Sequence, residues 1–238
     1  MKINTAWCFF EQSGTFKGEF QKLGVTAFDV DIKNNFGKTD IRTDLFKEIR
    51  AEVRKEHTIF SEIGKDDFIL AFFPCTRFSA RVPLNARGEG ANMRNKSLKE
   101  KLRYSMETVQ EIAENYEVLC LLVEVCLQKG MRLVIENPYT QPHFLTSYFP
   151  IKPALIDMNR TERGDDFKKP TQYFFINCEP KYNFIFENIS KPITKRIETT
   201  NGNRKHSRQE MRSMISPVYA NRFIREFLLD SEKVHVSA

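Results

Sequence analysis

The stretch FILAFFPC, residues 68–75, indicates the fold class of this chain and contains its first candidate functional residue. Residues 68–73 form an uncharged apolar run, a pattern typical of a buried strand. Pro74 ends the predicted strand, because proline has no backbone N–H for a sheet ladder. Cys75 is therefore expected just past the carboxyl end of a strand, where open α/β sheets bind their ligands. A cysteine at this position is either a small buried hydrophobe or a nucleophile.

Strand and helix patterns alternate on both sides of this stretch. Further strands are predicted at 6–10, 25–30, 132–135 and 173–176, and helices at 45–56, 97–129 and 218–229, with another helix ending at Gly24. This alternation favours an α/β Rossmann-like fold, a doubly wound and mainly parallel sheet with helices on both faces. We expect a catalytic domain over residues 1–176, a short basic excursion over 177–212, and a C-terminal helical segment over 213–238 that returns to the domain.

The composition is that of a globular protein in a reducing compartment. The chain has 238 residues, of which 41% are hydrophobic and 29% charged, and its apolar window at 118–126 is too short to span a bilayer. The five cysteines form no CxxC pair and no zinc-type cluster with the four histidines. We therefore expect free thiols, no metal site, no membrane association and a cytoplasmic location. No secretory signal is recognisable at the amino terminus.

Basic residues are concentrated in two segments, and the formal net charge is +6. The first segment follows Cys75 and the second lies near the C-terminus; together they contain Arg77, Arg81, Arg87, Arg94, Lys96, Lys99, Lys101, Arg103, Lys191, Lys195, Arg196, Arg204, Lys205, Arg208 and Arg212. Either cluster alone is more often a solvated surface than a phosphate-binding track. Because one of them adjoins a candidate nucleophile, we interpret the pair as favouring a polyanionic substrate.

A second informative stretch is LVIENPY, residues 133–139, in which a predicted strand ends in Glu136. One long predicted helix separates Cys75 from Glu136, so a single right-handed crossover places both at the same edge of the sheet. A thiol and a carboxyl group at one site suit covalent catalysis on an electron-poor ring, in which the thiolate adds and the acid assists. The alternative is that Glu136 only caps the loop after its strand.

In this order, the motifs resemble those of DNA cytosine-5 methyltransferases. The run from Pro74 to Ser79 is similar to the family's Pro-Cys-Gln-x-Phe-Ser nucleophile loop, and Glu136-Asn137 is similar to its Glu-Asn-Val element. The stretch 10–24 resembles the Phe-x-Gly-x-Gly-Gly-Phe cofactor loop with its following helix: Phe10, Gly14 and Phe16 match, while Gln12 and Thr15 replace glycines. Thr43-Asp44-Leu45 resembles the family's Asp-Ile element.

The resemblance implies methyl transfer from S-adenosylmethionine to carbon 5 of cytosine in DNA, with RNA as a possible acceptor. It assigns the nucleophile to Cys75 and the ring contacts to Glu136 within the Glu136-Asn137 element. The cofactor residues that it implies are Phe10, Gly14, Asp29 or Asp31, Asp44 and Pro74. The candidate nucleic-acid contacts are Arg77, Ser79, Arg81, Arg204, Lys205 and Arg208. A nearby Arg77 is also expected to lower the pKa of the Cys75 thiol.

The chain departs from the family pattern in two places. The region 164–176 contains no arginine where the family's Gln-x-Arg-x-Arg strand supplies one to the cytosine carbonyl, so Lys169 or Thr171 is expected to act instead. Only residues 177–212 are available for target recognition. The sequence leaves the oligomeric state open.

Three other interpretations of the sequence remain. The first is a methyltransferase-fold binding module with little or no turnover. The second keeps the chemistry but changes the acceptor to tRNA or a free nucleotide. The third takes Asn137-Pro138-Tyr139 as a degenerate Asn-Pro-Pro-Tyr motif of amino-group methyltransferases, which leaves Cys75 without a role.

Overall fold

The structure, a computed structural model, describes residues 1–79, 82–140, 143–187 and 214–230. These residues form an α/β fold with one seven-stranded mixed sheet. Its strands are β1 (Thr5–Phe9), β2 (Thr26–Asp31), β3 (Ile41–Arg42), β4 (Phe68–Ala71), β5 (Arg132–Pro138), β6 (Leu155–Asp157) and β7 (Thr171–Ile176). Its α-helices are α1 (Thr15–Lys22), α2 (Leu45–Val53), α3 (Val82–Ala86), α4 (Leu98–Lys129), α5 (Phe144–Tyr148) and α6 (Pro217–Phe223), and α6 continues into a π-helical turn, Ile224–Leu228.

The strand order β3-β2-β1-β4-β5-β7-β6 confirms the predicted doubly wound, mainly parallel sheet. β1 pairs in parallel with β2 on one side and with β4 on the other, so the order of the strands reverses there. This reversal is the switch point outside which open α/β sheets bind ligands. β4 also pairs in parallel with β5, which confirms that the strands preceding Cys75 and containing Glu136 are neighbours.

The last two strands depart from the sequence-based prediction of the sheet. β7 runs antiparallel to both β5 and β6, and β3 and β6 are short strands that the sequence pattern did not predict. Since β7 pairs along the whole end of β5, the strand continues to Pro138 instead of ending at Ile135. Glu136 and Asn137 therefore lie within β5, opposite Tyr173 and Gln172 of β7.

The sheet buries one apolar layer on each face, as a doubly wound fold requires. Side chains of α2 and α4 pack on one face around Phe9, Ile69 and Ile135. Side chains of α1 and α6 pack on the other face around Phe68 and Val134. Adjacent strand residues point to opposite faces, so Phe68 and Ile69 contribute to different layers.

Helix α4 is the crossover between β4 and β5, and both of its ends are capped. Ser97 and Glu100 form a reciprocal capping box at its start, and Gly130, with a φ of 66°, ends it in the left-handed conformation. These caps fix the ends of the helix, which agree with the predicted range of 97–129. No helix in the described ranges is long and apolar enough to cross a membrane.

Buried polar contacts join the C-terminal helix to the sheet. The Tyr219 hydroxyl on α6 donates to Asp157 Oδ2 at 3.0 Å and lies 2.8 Å from the hydroxyl of Tyr173 on β7. Asn183, in the segment that follows β7, donates to the carbonyls of Arg225 and Leu229. Residues 188–213, which include most of the basic excursion predicted over 177–212, lie outside the described residues, as do residues 231–238.

We expect Tyr219→Phe to lower the free energy of unfolding by about 1–3 kcal/mol, because the Asp157 carboxylate and the Tyr173 hydroxyl would each lose a buried hydrogen-bond partner. Urea titration followed by circular dichroism measures this difference. Tyr148→Phe is the matched control, since the Tyr148 side chain is exposed on α5. Equal stabilities for the two variants would contradict the anchoring role of Tyr219.

Candidate active site

Cys75 lies in a loop that begins where β4 ends, and a side chain of the neighbouring strand holds that loop. The Asn137 side-chain amide on β5 donates to the carbonyl of Phe73 at 3.1 Å, and Asn137 is fully buried. β4 and β5 are in register at this end, with Ala71 opposite Ile135. Asn137 therefore fixes the backbone two residues before Cys75 relative to the strand that contains Glu136.

A row of aromatic rings supports the same loop from the α2 and α4 side of the sheet. Phe73 and Phe78 flank Cys75 and stack on each other at 6.2 Å between ring centroids. The row continues to Phe46 on α2 and to Phe144 on α5. The N–H of Phe78 also donates to the Cys75 carbonyl at 3.0 Å, which closes a turn. Both buried rings next to Cys75 hold the turn against the core.

The Glu136 carboxylate is buried between two cations. Its Oε1 atom lies 3.8 Å from Lys169 Nζ and 3.8 Å from Arg160 Nη1, and it accepts no hydrogen bond from a described residue. Lys169 is partly exposed in the loop before β7. Thr171, the other residue expected to replace the arginine, is buried in β7 and donates to the Lys169 carbonyl at 2.9 Å. Lys169 is therefore better placed than Thr171 to replace the expected arginine.

Arg160 is the site residue that the sequence analysis missed. Its side chain has no exposed surface, contacts the Asp165 carboxylate, and lies over the Tyr219 ring with 4.6 Å between the guanidinium carbon and the ring centroid. It belongs to the 3₁₀ turn Arg160–Arg163, outside the region in which an arginine was expected. A polar segment without hydrophobic periodicity gives no signal that one arginine in it is buried.

The environment raises the pKa of the Cys75 thiol above its ordinary value. Burial is the main cause, the negative charge of Glu136 adds to it, and the positive charge of Lys169 acts in the opposite direction. The expectation that Arg77 lowers this pKa is wrong, since Arg77 forms an ion pair with Glu111 on α4 instead. The two charge effects also show that Cys75, Glu136 and Lys169 share one electrostatic environment.

The predicted cofactor residues lie along the carboxyl ends of β1 and β2. Phe10 follows β1 directly, with a left-handed φ of 58°, and its ring meets the rings of Phe73 and Phe46 edge-on. Asp31 is the last residue of β2 and is partly exposed. Asp29 has no exposed surface, so of the two acids only Asp31 can reach a ligand at this edge.

A buried acidic cluster lies beneath the Gly14 loop. Glu11 Oε1 accepts hydrogen bonds from the N–H groups of Thr15 and Phe16, the first residues of α1, so those donors are used within the chain. Burial, and then the Glu11 charge, raise the pKa of Asp29 to about 8. One ligand atom each of Cys8, Glu11 and Asp29 lies within 4.8 Å of the others.

Gly14 supports close packing of this loop. Its φ is 74°, and a Cβ atom added there would lie 3.0 Å from Lys38 Cβ. The Lys17 ammonium lies 3.8 Å from Asp29 Oδ2 and 2.8 Å from Asp40 Oδ2. The negative charge of the acidic cluster is therefore partly balanced by the Lys17 ammonium.

Asp44 and Pro74 complete the predicted cofactor set. The Asp44 side chain is the N-cap of α2 and accepts from the N–H groups of Phe46 and Lys47, so the structure gives it a helix-capping role. Its carboxylate remains about one-third exposed. Pro74 is partly exposed between Phe73 and Cys75, at the same edge of the sheet.

Few of the predicted nucleic-acid contacts fall on described residues. Ser79 is partly exposed at the end of the Cys75 loop, and Arg77 is paired with Glu111 as stated above. Arg81, Arg204, Lys205 and Arg208 lie outside the described residues. Two surface concavities that the described residues form lie elsewhere, along the first half of α4 and at the amino ends of the central strands. The candidate active site is therefore identified by the residues at the carboxyl ends of the strands and not by either concavity.

Comparison of the chain with protein-family models and with curated proteins finds no match in either case. The function must therefore be argued from the site itself.

We expect the pKa of Cys75 to respond in opposite directions to its two charged neighbours. Glu136→Gln removes a negative charge and lowers the pKa, whereas Lys169→Met removes a positive charge and raises it. Below the pKa, the rate of Cys75 alkylation by iodoacetamide should rise about two- to tenfold in the first variant and fall by a similar factor in the second. Peptide mapping by mass spectrometry resolves Cys75 from the other cysteines.

Glu124→Gln is the matched control for this experiment, because Glu124 is exposed on α4. Shifts of the same sign in the Glu136→Gln and Lys169→Met variants would contradict the geometry described for the site.

Proposed function

We propose that this protein transfers a methyl group from S-adenosylmethionine to carbon 5 of cytosine in DNA through a covalent adduct of Cys75. The observation that carries the proposal is the placement of Cys75 and Glu136 at the carboxyl ends of two paired strands, with Lys169 beside the Glu136 carboxylate. The motif resemblance of the Cys75 loop and of Glu136-Asn137 to cytosine-5 methyltransferases supports the same conclusion.

The proposed reaction begins with bond formation between Cys75 Sγ and carbon 6 of the ring. Glu136 holds ring nitrogen 3 and the exocyclic amine, which lets the ring accept the electron pair and makes carbon 5 nucleophilic. S-adenosylmethionine, when bound, would supply an electrophilic methyl group to carbon 5, with S-adenosylhomocysteine as the leaving group. A base then takes the proton from carbon 5, and the released electron pair breaks the carbon 6–sulfur bond. Cys75 leaves as the thiolate, and the product is 5-methylcytosine.

The two cations beside Glu136 have different roles in this proposal. Arg160 has no exposed surface, so it acts as a positioning residue that holds the carboxylate from within the protein. Lys169 is partly exposed and can reach the cytosine carbonyl oxygen, the contact that an arginine makes in the family. Lys169 also offsets the effect of Glu136 on the Cys75 thiol, which favours the nucleophilic form.

The residues at the β1 and β2 edge fit part of the cofactor. The Asp31 carboxylate is an acceptor suited to the two hydroxyls of a ribose, and the partly exposed Phe10 ring offers an apolar surface for an adenine. Asp44 retains an exposed carboxylate oxygen for the adenine amine. The first N–H groups of α1 do not fit, since Glu11 already accepts from them. We therefore expect weaker cofactor affinity than a glycine-rich loop provides.

The engaged α1 N–H groups and the raised pKa of the Cys75 thiol favour one alternative, a methyltransferase-fold binding module with little turnover. Methyl transfer, unlike binding alone, requires a duplex to release the target cytosine from its stack, which costs a few kcal/mol. The net charge of +6 supports a nucleic-acid partner.

Incubation of the protein with DNA, RNA or free cytidine nucleotides and methyl-labelled S-adenosylmethionine tests the proposal. Mass spectrometry of the recovered nucleosides should find labelled 5-methylcytosine from DNA. Label in RNA or nucleotides alone would change the acceptor, and label on the exocyclic amine would replace the mechanism with amino-group transfer. If the protein binds nucleic acid but transfers no label, the result would support the alternative of a binding module with little or no turnover.

Cys75→Ser should abolish transfer, because a serine hydroxyl is a far weaker nucleophile at neutral pH. DNA that contains 5-fluorocytosine should form a covalent adduct with the wild-type protein and not with this variant, since no carbon 5 proton can leave after methyl transfer. Cys120→Ser is the matched control, because Cys120 is a half-buried cysteine on α4. Transfer at the wild-type rate by Cys75→Ser would refute the mechanism.

Asp31→Asn should raise the Kd for S-adenosylmethionine about tenfold or more, since hydrogen bonds to a charged group contribute about 1.5–3 kcal/mol. Titration calorimetry measures this change. Asp66→Asn makes the same substitution at an exposed residue next to the opposite edge of the sheet and should leave the Kd unchanged. If neither variant differs from the wild type, the ribose contact does not lie at Asp31.

A further inference from the structure

An apolar stripe runs along the exposed side of the first half of α4, away from the site described above. Leu98, Leu102, Met106 and Val109 are between 58% and 73% exposed, and Ala113 continues the row. Their spacing of four, four, three and four residues places them on one face of a helix. A row of this kind gives the helix an apolar side that can pack against a second helix. Single exposed apolar residues are common, but a continuous seam of five marks an interaction surface.

The charges beside the stripe change sign along the helix. Lys99 and Arg103 flank its first half, Glu107 flanks its second half, and Gln110 follows. None of these three charged side chains forms an ion pair with another described residue. Other charged residues nearby are already engaged within the chain, as Glu111 is by Arg77 and Glu114 by Arg50. These three charges, which have no ion-pair partner among the described residues, thus lie on one flank of the stripe.

We propose that this face of α4 binds the same face of a second copy of the chain, with the two helices antiparallel. An antiparallel pairing centred near Met106 places Leu102 opposite Val109 of the other copy and Leu98 opposite Ala113. The two Met106 side chains then meet at the two-fold axis. Such a contact is isologous, because each copy contributes the same surface.

Charge complementarity decides for a second copy over an unrelated partner. In antiparallel helix pairs a flank faces the same flank of the other copy, so Arg103 lies opposite Glu107 of the second chain. The two-fold axis repeats this contact, which gives two Arg103–Glu107 pairs, and Lys99 lies opposite Gln110. A parallel pairing would instead place this flank against the opposite flank of the other copy, the one that contains Lys101, so Arg103 would not meet Glu107 and would face a like charge.

The size of the seam sets the expected strength of the dimer. The stripe covers residues 98–113, about 24 Å of helix. A contact of this length is smaller than the interfaces of stable dimers, so we expect reversible association in the micromolar range. The inference is independent of the proposed function, since none of its residues belongs to the candidate active site.

Sedimentation equilibrium of the wild-type protein over about 1 µM to 1 mM should show a monomer–dimer equilibrium. Met106→Glu should raise the dimer Kd at least tenfold, because it places two carboxylates at the axis. Leu127→Glu is the matched control on the same helix: Leu127 is 56% exposed but lies beyond the seam. Both positions are exposed, and circular dichroism checks that the variants fold.

A charge-reversal experiment tests the antiparallel register. In the Arg103→Glu variant, two acidic side chains would meet at each contact between position 103 of one copy and Glu107 of the other. In the Glu107→Arg variant, two basic side chains would meet there. Each variant should therefore dimerise at least tenfold more weakly than the wild type. An equimolar mixture of the two should form a heterodimer close to wild-type strength, because every contact then joins opposite charges.

Two outcomes would overturn the proposal. One is a wild-type protein that stays monomeric over the whole concentration range, even if Met106→Glu then lowers nucleic-acid affinity, which would assign the face to nucleic acid. The other is a dimer that neither Met106→Glu nor the charge reversals weaken, which would locate the contact between copies elsewhere.

Discussion

The buried guanidinium of Arg160 requires partners that balance its charge, and this requirement constrains both the candidate site and the C-terminal part of the fold. Arg160 has no exposed surface, and a buried charge without partners costs several kcal/mol. Its partners come from three parts of the chain, namely Glu136 on β5, Asp165 before β7 and the Tyr219 ring on α6. Asp165 also accepts from the Ser216 N–H that begins α6. One cation therefore joins β5, the segment between β6 and β7, and the returning helix.

The same arrangement explains why the candidate site lies at a strand edge. β4 and β5 end side by side, and Asn137 ties the two ends through the Phe73 carbonyl. Lys169 reaches the Glu136 carboxylate from the loop before β7, the strand that pairs with β5. Sheet pairing therefore fixes the position of the carboxylate, and the loops that contain the thiol and the ammonium are each anchored at the end of a paired strand.

Local signals in the sequence predicted most of the fold. The apolar run at 68–73 located β4, and the helical spacing of apolar residues over 97–129, closed by Gly130, located α4, each to within two residues. The antiparallel direction of β7 was not predictable, since periodicity carries no information on the direction of a strand.

Within the site, Cys75 and Glu136 were placed at one edge from the crossover rule, but Arg160 was missed because nothing in a polar turn reports burial. Asp29 and Asp31 share one face of β2, so the two acids differ only in their burial along the strand, which the local sequence does not reveal.

The long crossover between β4 and β5 also affects how the chain folds. The central pairings join Ala6 to Phe68 and Phe68 to Arg132, and both depend on contacts between distant segments. Topologies of this kind fold slowly, because chain entropy is lost before the contacts form. Until β5 is synthesised and docks, one edge of the apolar strand β4 lacks its partner, and such edges attract other chains. During synthesis this protein is therefore most prone to aggregate in the interval in which α4 is being made.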